Sequence, residues 1–423
     1  MNKRTIIICI TVILSLAEGF ITYKYNLVSV LSNFATSIIG KNNSLLDFLS
    51  LITPAGLIFL INYYIFAPCI YFLFRAIWRV IGHYEHILKK TNTINIKCIN
   101  WLLSCKKHWG DVQDANICLH ANTCEGLLAL RKSDMHRKKS EAYKNSLLDV
   151  LNSVEVDGVP SKSLKRATVV CTAMFLYLVG LEKEDSIGVI TEYATYNALA
   201  RKLWSIRNFD KGWGVFVEHS EDNCCSLANT YWALRALCKY DICRTSEFQN
   251  YLSMIYEYNN NGCFGFYVGD ESRLATTAMY LCLYYEMPAE LRNCIEYNPK
   301  NAASYIYKKF VKEEVEVETE SLYGINKNNT GVKQVPWNHV VVGYCVDALA
   351  NAYAHFDFST LEMDVFMAYL DSLLSKHMVI NDNYAYYMPR GLQHKANKVF
   401  TYPTSYMVCG ISSLSCIRKR RRI

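Results

Sequence analysis

Two carboxylates sit inside apolar sequence, where an acid must be paired or face a polar cavity. Glu125 lies one helical turn into HANTCEGLLAL, and Asp347 lies in GYCVDALANAY. Each has the setting of a general acid, and each equally suits a structural ion pair. Asp270 and Glu271 stand about one helical turn ahead of a further apolar run, LATTAMYLCLY. Acids so placed can donate a proton to a substrate or simply complement the dipole of the helix that follows. Asp222 and Cys224, two residues apart, are zinc-ligand types, and His339 in PWNHVVVGY is the nearest downstream histidine. Trp213, Trp232 and Trp337 can form an aromatic wall that holds an apolar or cationic ligand, or can pack as plain core.

The elements that must position these residues form an array. A small hydroxyl or glycine recurs inside six apolar segments: Thr123, Thr172, Thr230, Thr277, Gly343, and Thr404 or Ser405. Spacings of roughly fifty to sixty residues suit one helical hairpin per repeat. Each marked segment is apolar nearly all round, as an element buried on both sides must be. Segments between them are one-sided, as in Leu147, Leu148, Leu151 and Val154, in Val189, Tyr193, Tyr196, Leu199, Leu203 and Ile206, or in Leu361, Val365, Phe366, Tyr369 and Leu373. The expected fold class is therefore all-α, with buried inner helices alternating with amphipathic outer ones in a single (α/α)6 toroid over residues 91–417.

Composition sets limits on the rest. A 51% hydrophobic content excludes a disordered chain, and a net charge of +7, with Arg418, Lys419, Arg420, Arg421 and Arg422 crowded at the end, leaves no basic face for nucleic acid. The 17 cysteines are scattered singly and read as small apolar residues of a reducing compartment. Thr5–Tyr23 and Phe48–Phe74 are long apolar runs, read as two transmembrane helices forming a hairpin anchor over residues 1–90. Basic flanks at Lys3, Arg4, Arg75, Arg79, Lys89 and Lys90 place both termini and the toroid in the cytoplasm. The basic tail, residues 418–423, would then meet anionic lipid or remain solvated.

The glycine–aromatic turn before an inner helix, Gly212, Trp213, Gly214 with Thr230, Ala236 and Leu237, and Gly262, Phe264, Gly265 with Thr277 and Ala278, resembles the prenyltransferase and squalene-oxidase repeat. The resemblance spans about residues 95–417. It implies an alpha–alpha toroid of the kind found in terpene cyclases and the beta subunits of protein prenyltransferases. Cyclases of that type place a general acid in the four residues before Thr-Ala, here Arg273, Leu274, Ala275 and Thr276, so the acid is absent at that position and Asp270 is a displaced candidate. Protein prenyltransferases hold zinc through Asp-x-Cys and a histidine. Asp222 and Cys224 match the spelling, about one turn early, and no histidine lies near Thr277, which disfavours zinc.

The expectation is a membrane-anchored toroid whose central cavity binds an apolar or isoprenoid-like ligand, with Asp222, Glu125 and Asp270 as candidate catalytic residues for its transfer or cyclisation. Trp213, Trp232, Trp337 and His339 are the candidate ligand contacts. A non-catalytic binding or sensing module on the same ring is the alternative. A helical-ring carbohydrate enzyme, which needs two acids facing each other across the cavity, is a third.

Overall fold

A computed structural model describes residues 67–105, 109, 120–138, 140–161, 166–185, 193–218, 225–325, 332–392 and 399–421. The chain divides into two compact units, Met1–His86 and Ile87–Ile423. The second, which takes in residues 87–104 of the first helix below, is built from helices in alternation. Helices α1 (Ala67–Ser104), α3 (Ser140–Leu151), α5 (Tyr193–Ser205), α7 (Ser246–Glu257), α9 (Pro299–Ile306) and α11 (Thr360–His377) are separated by α2 (His120–Lys132), α4 (Val169–Asp185), α6 (Leu227–Leu237), α8 (Leu274–Glu286), α10 (Val342–Ala354) and α12 (Tyr402–Arg421). The even-numbered helices pack side by side in chain order, and α12 returns to α2, closing a ring of six. Every residue of α6 and of α10 up to Ala352 is buried, which explains why these helices carry no polar stripe.

The recurring threonine secures the turn that leads into its helix. Thr172, Thr230, Thr277 and Thr404 each accept a hydrogen bond at Oγ1 from a backbone N–H on that turn, from Val159 (2.9 Å), Trp213 (3.0 Å), Phe264 (3.0 Å) and Tyr387 (3.0 Å). These turns are buried and cannot lean on water, so the hydroxyl satisfies an amide that would otherwise be orphaned. The register in the last repeat is thus set by Thr404. Gly212 sits beside this contact at φ 94°, and a Cβ there would lie 1.9 Å from Thr230 Oγ1, so both the backbone conformation and the space demand glycine. Gly343, the marker of the fifth repeat, acts instead through the side chain it lacks. A Cβ would meet the Tyr406 carbonyl oxygen at 2.2 Å, so its absence lets α10 and α12 cross closely.

Three short antiparallel sheets depart from the all-α expectation: β1 (Pro160–Ser161) with β2 (Arg166–Ala167), β3 (Val317–Ile325) with β4 (Val332–Val340), and β5 (Met378–Ile380) with β6 (Ala385–Tyr387). All three fall in links that run from an outer helix to the next inner one, hence at the end of the ring where the inner helices begin. That end is the mouth, and the opposite end is the base. The outer faces are also shifted from expectation. Leu148, Leu361 and Val365 are exposed, whereas Met363, Phe366, Met367, Leu370, Leu373 and Leu374 bury α11.

The membrane assignment is overturned. No helix among the described residues is long and apolar enough to cross a membrane, so a two-span protein with a cytoplasmic toroid is not supported. Thr5–Tyr23 and residues 48–66 lie outside the described residues. Residues 67–74 open α1, a helix of 38 residues that continues through Arg75, Arg79, Glu85, Lys89 and Lys90.

Candidate functional site

The base of the ring is closed by ions. Lys132 on α2 bonds Glu286 on α8 at 3.0 Å and Asp347 on α10 at 3.1 Å. Arg235 on α6 grips Glu286 with two nitrogens, at 2.6 and 2.7 Å, and Tyr177 on α4 donates to the same carboxylate at 3.2 Å. Ser413 on α12 donates to Asp347 at 2.6 Å, so all six inner helices contribute one group. Burial alone would raise the Glu286 carboxyl, but Arg235 and Lys132 outweigh it and hold it well below the usual range. Burial would likewise lower Lys132, and Asp347 and Glu286 hold it well above its ordinary value. Two cations and two anions balance, as a buried ionic group requires.

Above this network the axis is filled with aromatic rings. Arg235 lies 4.3 Å from the Tyr177 ring centroid and 5.2 Å from that of Trp232. Tyr231 on α6 meets Tyr344 on α10 edge to face at 6.1 Å, reaching past the intervening α8. A contact between helices that are not ring neighbours crosses the interior. The rings of Tyr231 and Tyr344 therefore occupy the interior between α6 and α10.

Glu125 and Glu320 are two of the described carboxyl groups toward the mouth of the ring. Glu125, in the second turn of α2, accepts a 2.7 Å hydrogen bond from the Tyr406 hydroxyl on α12, and the Tyr406 ring packs on Tyr344 at 4.9 Å. Burial, reinforced by the Glu125 charge, pushes the Tyr406 hydroxyl well above its ordinary pKa, so it remains a donor. Burial also pushes the nearby thiols up, Cys171 to about 11 and Cys409 to about 12, which excludes both as thiolates at neutral pH.

The second carboxyl is Glu320 on β3, which accepts from or shares a proton with His339 Nε2 on β4 at 2.7 Å. The imidazole stacks on Phe266 at 5.2 Å. Antiparallel register sets Glu320 opposite Trp337 and Glu318 opposite His339, so all four share one face of the hairpin. Glu318 accepts from the Ala275 N–H at 2.7 Å at the start of α8, and Glu316 accepts from the Tyr387 hydroxyl and the Arg390 N–H. Alternate glutamates thus fasten β3 to neighbouring elements, and Glu320 Oε1 is buried with no hydrogen-bond partner among the described residues.

The residues singled out by sequence are dispersed. Glu125 and His339 reach the mouth, and Trp337, 54% exposed, stands on the hairpin beside His339. Trp213 is fully buried against Trp204 and Tyr251, with its indole N–H on the Leu203 carbonyl at 2.7 Å. Trp232 lies in the axial plug under Arg235. Asp270 and Glu271 are exposed on a turn. Asp347 belongs to the base network. Asp222 and Cys224 lie outside the described residues, and no group of three or more metal-ligating side chains occurs among the described ones. Glu320 was missed although the run Glu314, Glu316, Glu318, Glu320 alternates strictly, a period of two that announces a strand with one acidic face.

No family model and no curated protein matches this sequence. Among solved structures the chain is similar to an inactive variant of the alpha-1,6-mannanase GH76A of Salegentibacter sp. HEL1_6, with two aspartates replaced by asparagine, in complex with alpha-1,6-mannotriose. The TM-score is 0.50 at 11% identity, over 78% of this chain and 99% of that one. This likeness shows the all-helical toroid and lends nothing to a prenyltransferase or terpene-cyclase kinship.

Proposed function

We propose that this toroid binds a saccharide across its mouth. The observation that carries the reading is the chemistry gathered toward the end where the inner helices begin, Glu125 with Tyr406, and Glu320 with His339 and Trp337 beside it. Lys132, Glu286, Arg235 and the rings of Tyr231, Trp232 and Tyr344 meet further along the interior. Aromatic faces and hydrogen-bonding side chains set on a rigid scaffold suit a hydroxyl-rich ligand. The structural neighbour, an alpha-1,6-mannanase solved with alpha-1,6-mannotriose, supports the same ligand class.

Titration calorimetry of the purified protein with alpha-1,6-mannotriose, maltotriose and geranylgeranyl diphosphate tests this. Binding of a saccharide and not of the diphosphate is expected, whereas the reverse would sink the reading. The two acids, Glu125 and Glu320, favour a second reading, because a pair of carboxyl groups is the minimum apparatus of glycoside hydrolysis. Release of reducing ends from alpha-1,6-mannan, abolished in Glu125→Gln and Glu320→Gln, is the outcome it requires. Absence of release leaves a binding module.

A further inference from the structure

Resting on the saccharide reading above, we infer that the face of the β3–β4 hairpin is a sugar subsite: a pyranose stacks on Trp337 and gives a hydroxyl hydrogen bond to the Glu320–His339 pair.

Three observations converge on it. Trp337 and His339 are two residues apart on one strand and so point the same way, yet Trp337 is 54% exposed and His339 only 8%. The hairpin face thus runs from an open aromatic platform down to a polar floor. Trp337 differs in this from Trp213 and Trp232, both of which are buried.

The floor is held rigidly. Phe266 stacks on the imidazole at 5.2 Å, and the Phe266 carbonyl accepts the Leu227 N–H at 2.7 Å, tying the floor to the start of α6. Glu318 ties the adjacent strand to α8, and the Tyr267 hydroxyl donates to the Ser321 carbonyl at 2.9 Å. With Nε2 engaged by Glu320 Oε2 at 2.7 Å, Nδ1 is the ring nitrogen left for a ligand hydroxyl.

The pair is also incompletely satisfied from within. Glu320 is 1% exposed, and its second oxygen has no hydrogen-bond partner among the described residues. A buried carboxylate oxygen without a donor is costly, and Glu320 shares this state with Glu182, the partner of Arg131. The neighbouring Glu316 differs, with Oε2 taking both the Tyr387 hydroxyl and the Arg390 amide.

The test is calorimetric titration of alpha-1,6-mannotriose into the full chain and into Trp337→Ala, His339→Gln, Glu320→Gln and, as a remote control, Leu361→Ala, with a thermal melt of each. The subsite requires Trp337→Ala and His339→Gln to weaken binding by roughly tenfold or more, the loss expected on truncating an anchor residue. Trp337→Ala and Leu361→Ala should keep the parent melting temperature, since both positions are exposed. Wild-type affinity retained in Trp337→Ala and His339→Gln would overturn the subsite while leaving saccharide binding at the mouth intact. A wild-type chain that binds none of the sugars would remove the functional reading itself, and the subsite with it.

Discussion

Lys132 and Glu286 come from inner helices on opposite sides of the ring and meet at 3.0 Å. A contact across a full diameter means that side chains of facing inner helices meet inside the ring.

Glu286→Gln should leave Lys132 and Arg235 without their shared anion, at a cost of about 3–5 kcal/mol. Its pH dependence follows from sign. The Glu286 carboxyl is held below its usual value of 4.5, so its stabilisation is complete above that pH and declines as the pH falls below it. Lys132 is shifted upward from 10.5, so its share is complete below that value and fades only in strong alkali. Thermal melts across the acid range should therefore show a steeper loss in the parent than in Glu286→Gln, and parallel curves would refute the assignment.

Thr230→Val keeps the shape of the side chain and removes the acceptor for the buried Trp213 amide. We expect a loss of about 1–3 kcal/mol, the penalty for one unsatisfied buried donor. Urea unfolding monitored by circular dichroism measures it, and Thr172→Val should behave alike because Val159 makes the same bond.

Gly343→Ala forces a methyl toward the Tyr406 carbonyl, which lies 2.2 Å from the ideal Cβ position. Helices α10 and α12 would have to separate, with a cost of about 1–3 kcal/mol or more, typical of overpacking. Because Tyr406 also carries the hydrogen bond to Glu125, saccharide affinity should fall together with the melting temperature. Unchanged affinity in a destabilised variant would show that the mouth does not depend on this crossing.

Glu125→Gln preserves an acceptor for Tyr406 and removes the charge. Small effects on stability, within about 1 kcal/mol, are expected for so conservative a change, while saccharide binding measured by calorimetry should weaken. Equal losses in Glu125→Gln and Tyr406→Phe would identify the hydrogen-bonded pair as the binding unit. Full affinity in both would place the ligand elsewhere on the mouth.

Much of the ring was legible because it is written in local chemistry. The small residue at Thr123, Thr172, Thr230, Thr277, Gly343 and Thr404 marks largely apolar helices, and that pattern alone locates the six inner helices. Helical geometry even carries part of the interior. With the marker threonine facing its own turn, residues two and nine positions on are turned about half a circle away, toward the axis, which is where Glu125, Trp232, Lys132, Glu286 and Ser413 stand. What the chain could not state locally is which axial groups meet. Lys132 and Glu286 are 154 residues apart, and only ring closure makes them a pair.

The same limit explains the residues that changed role. Asp347 and Glu125 look alike in sequence, each a single acid in an apolar helix. One faces Lys132 and Ser413 and the other Tyr406, although each is the sixth residue of its helix, so the neighbouring helices and not local position set the partner. Trp213 and Trp337 are likewise the same residue type with opposite fates, set by whether an outer helix covers them. The sequence by itself determined the ring, its turn chemistry and the alternation of inner and outer helices, since these follow from short-range spacing. Only the tertiary structure decided that Lys132 meets Glu286 across the ring and that Glu320 meets His339, since these depend on contacts between segments brought together in the fold.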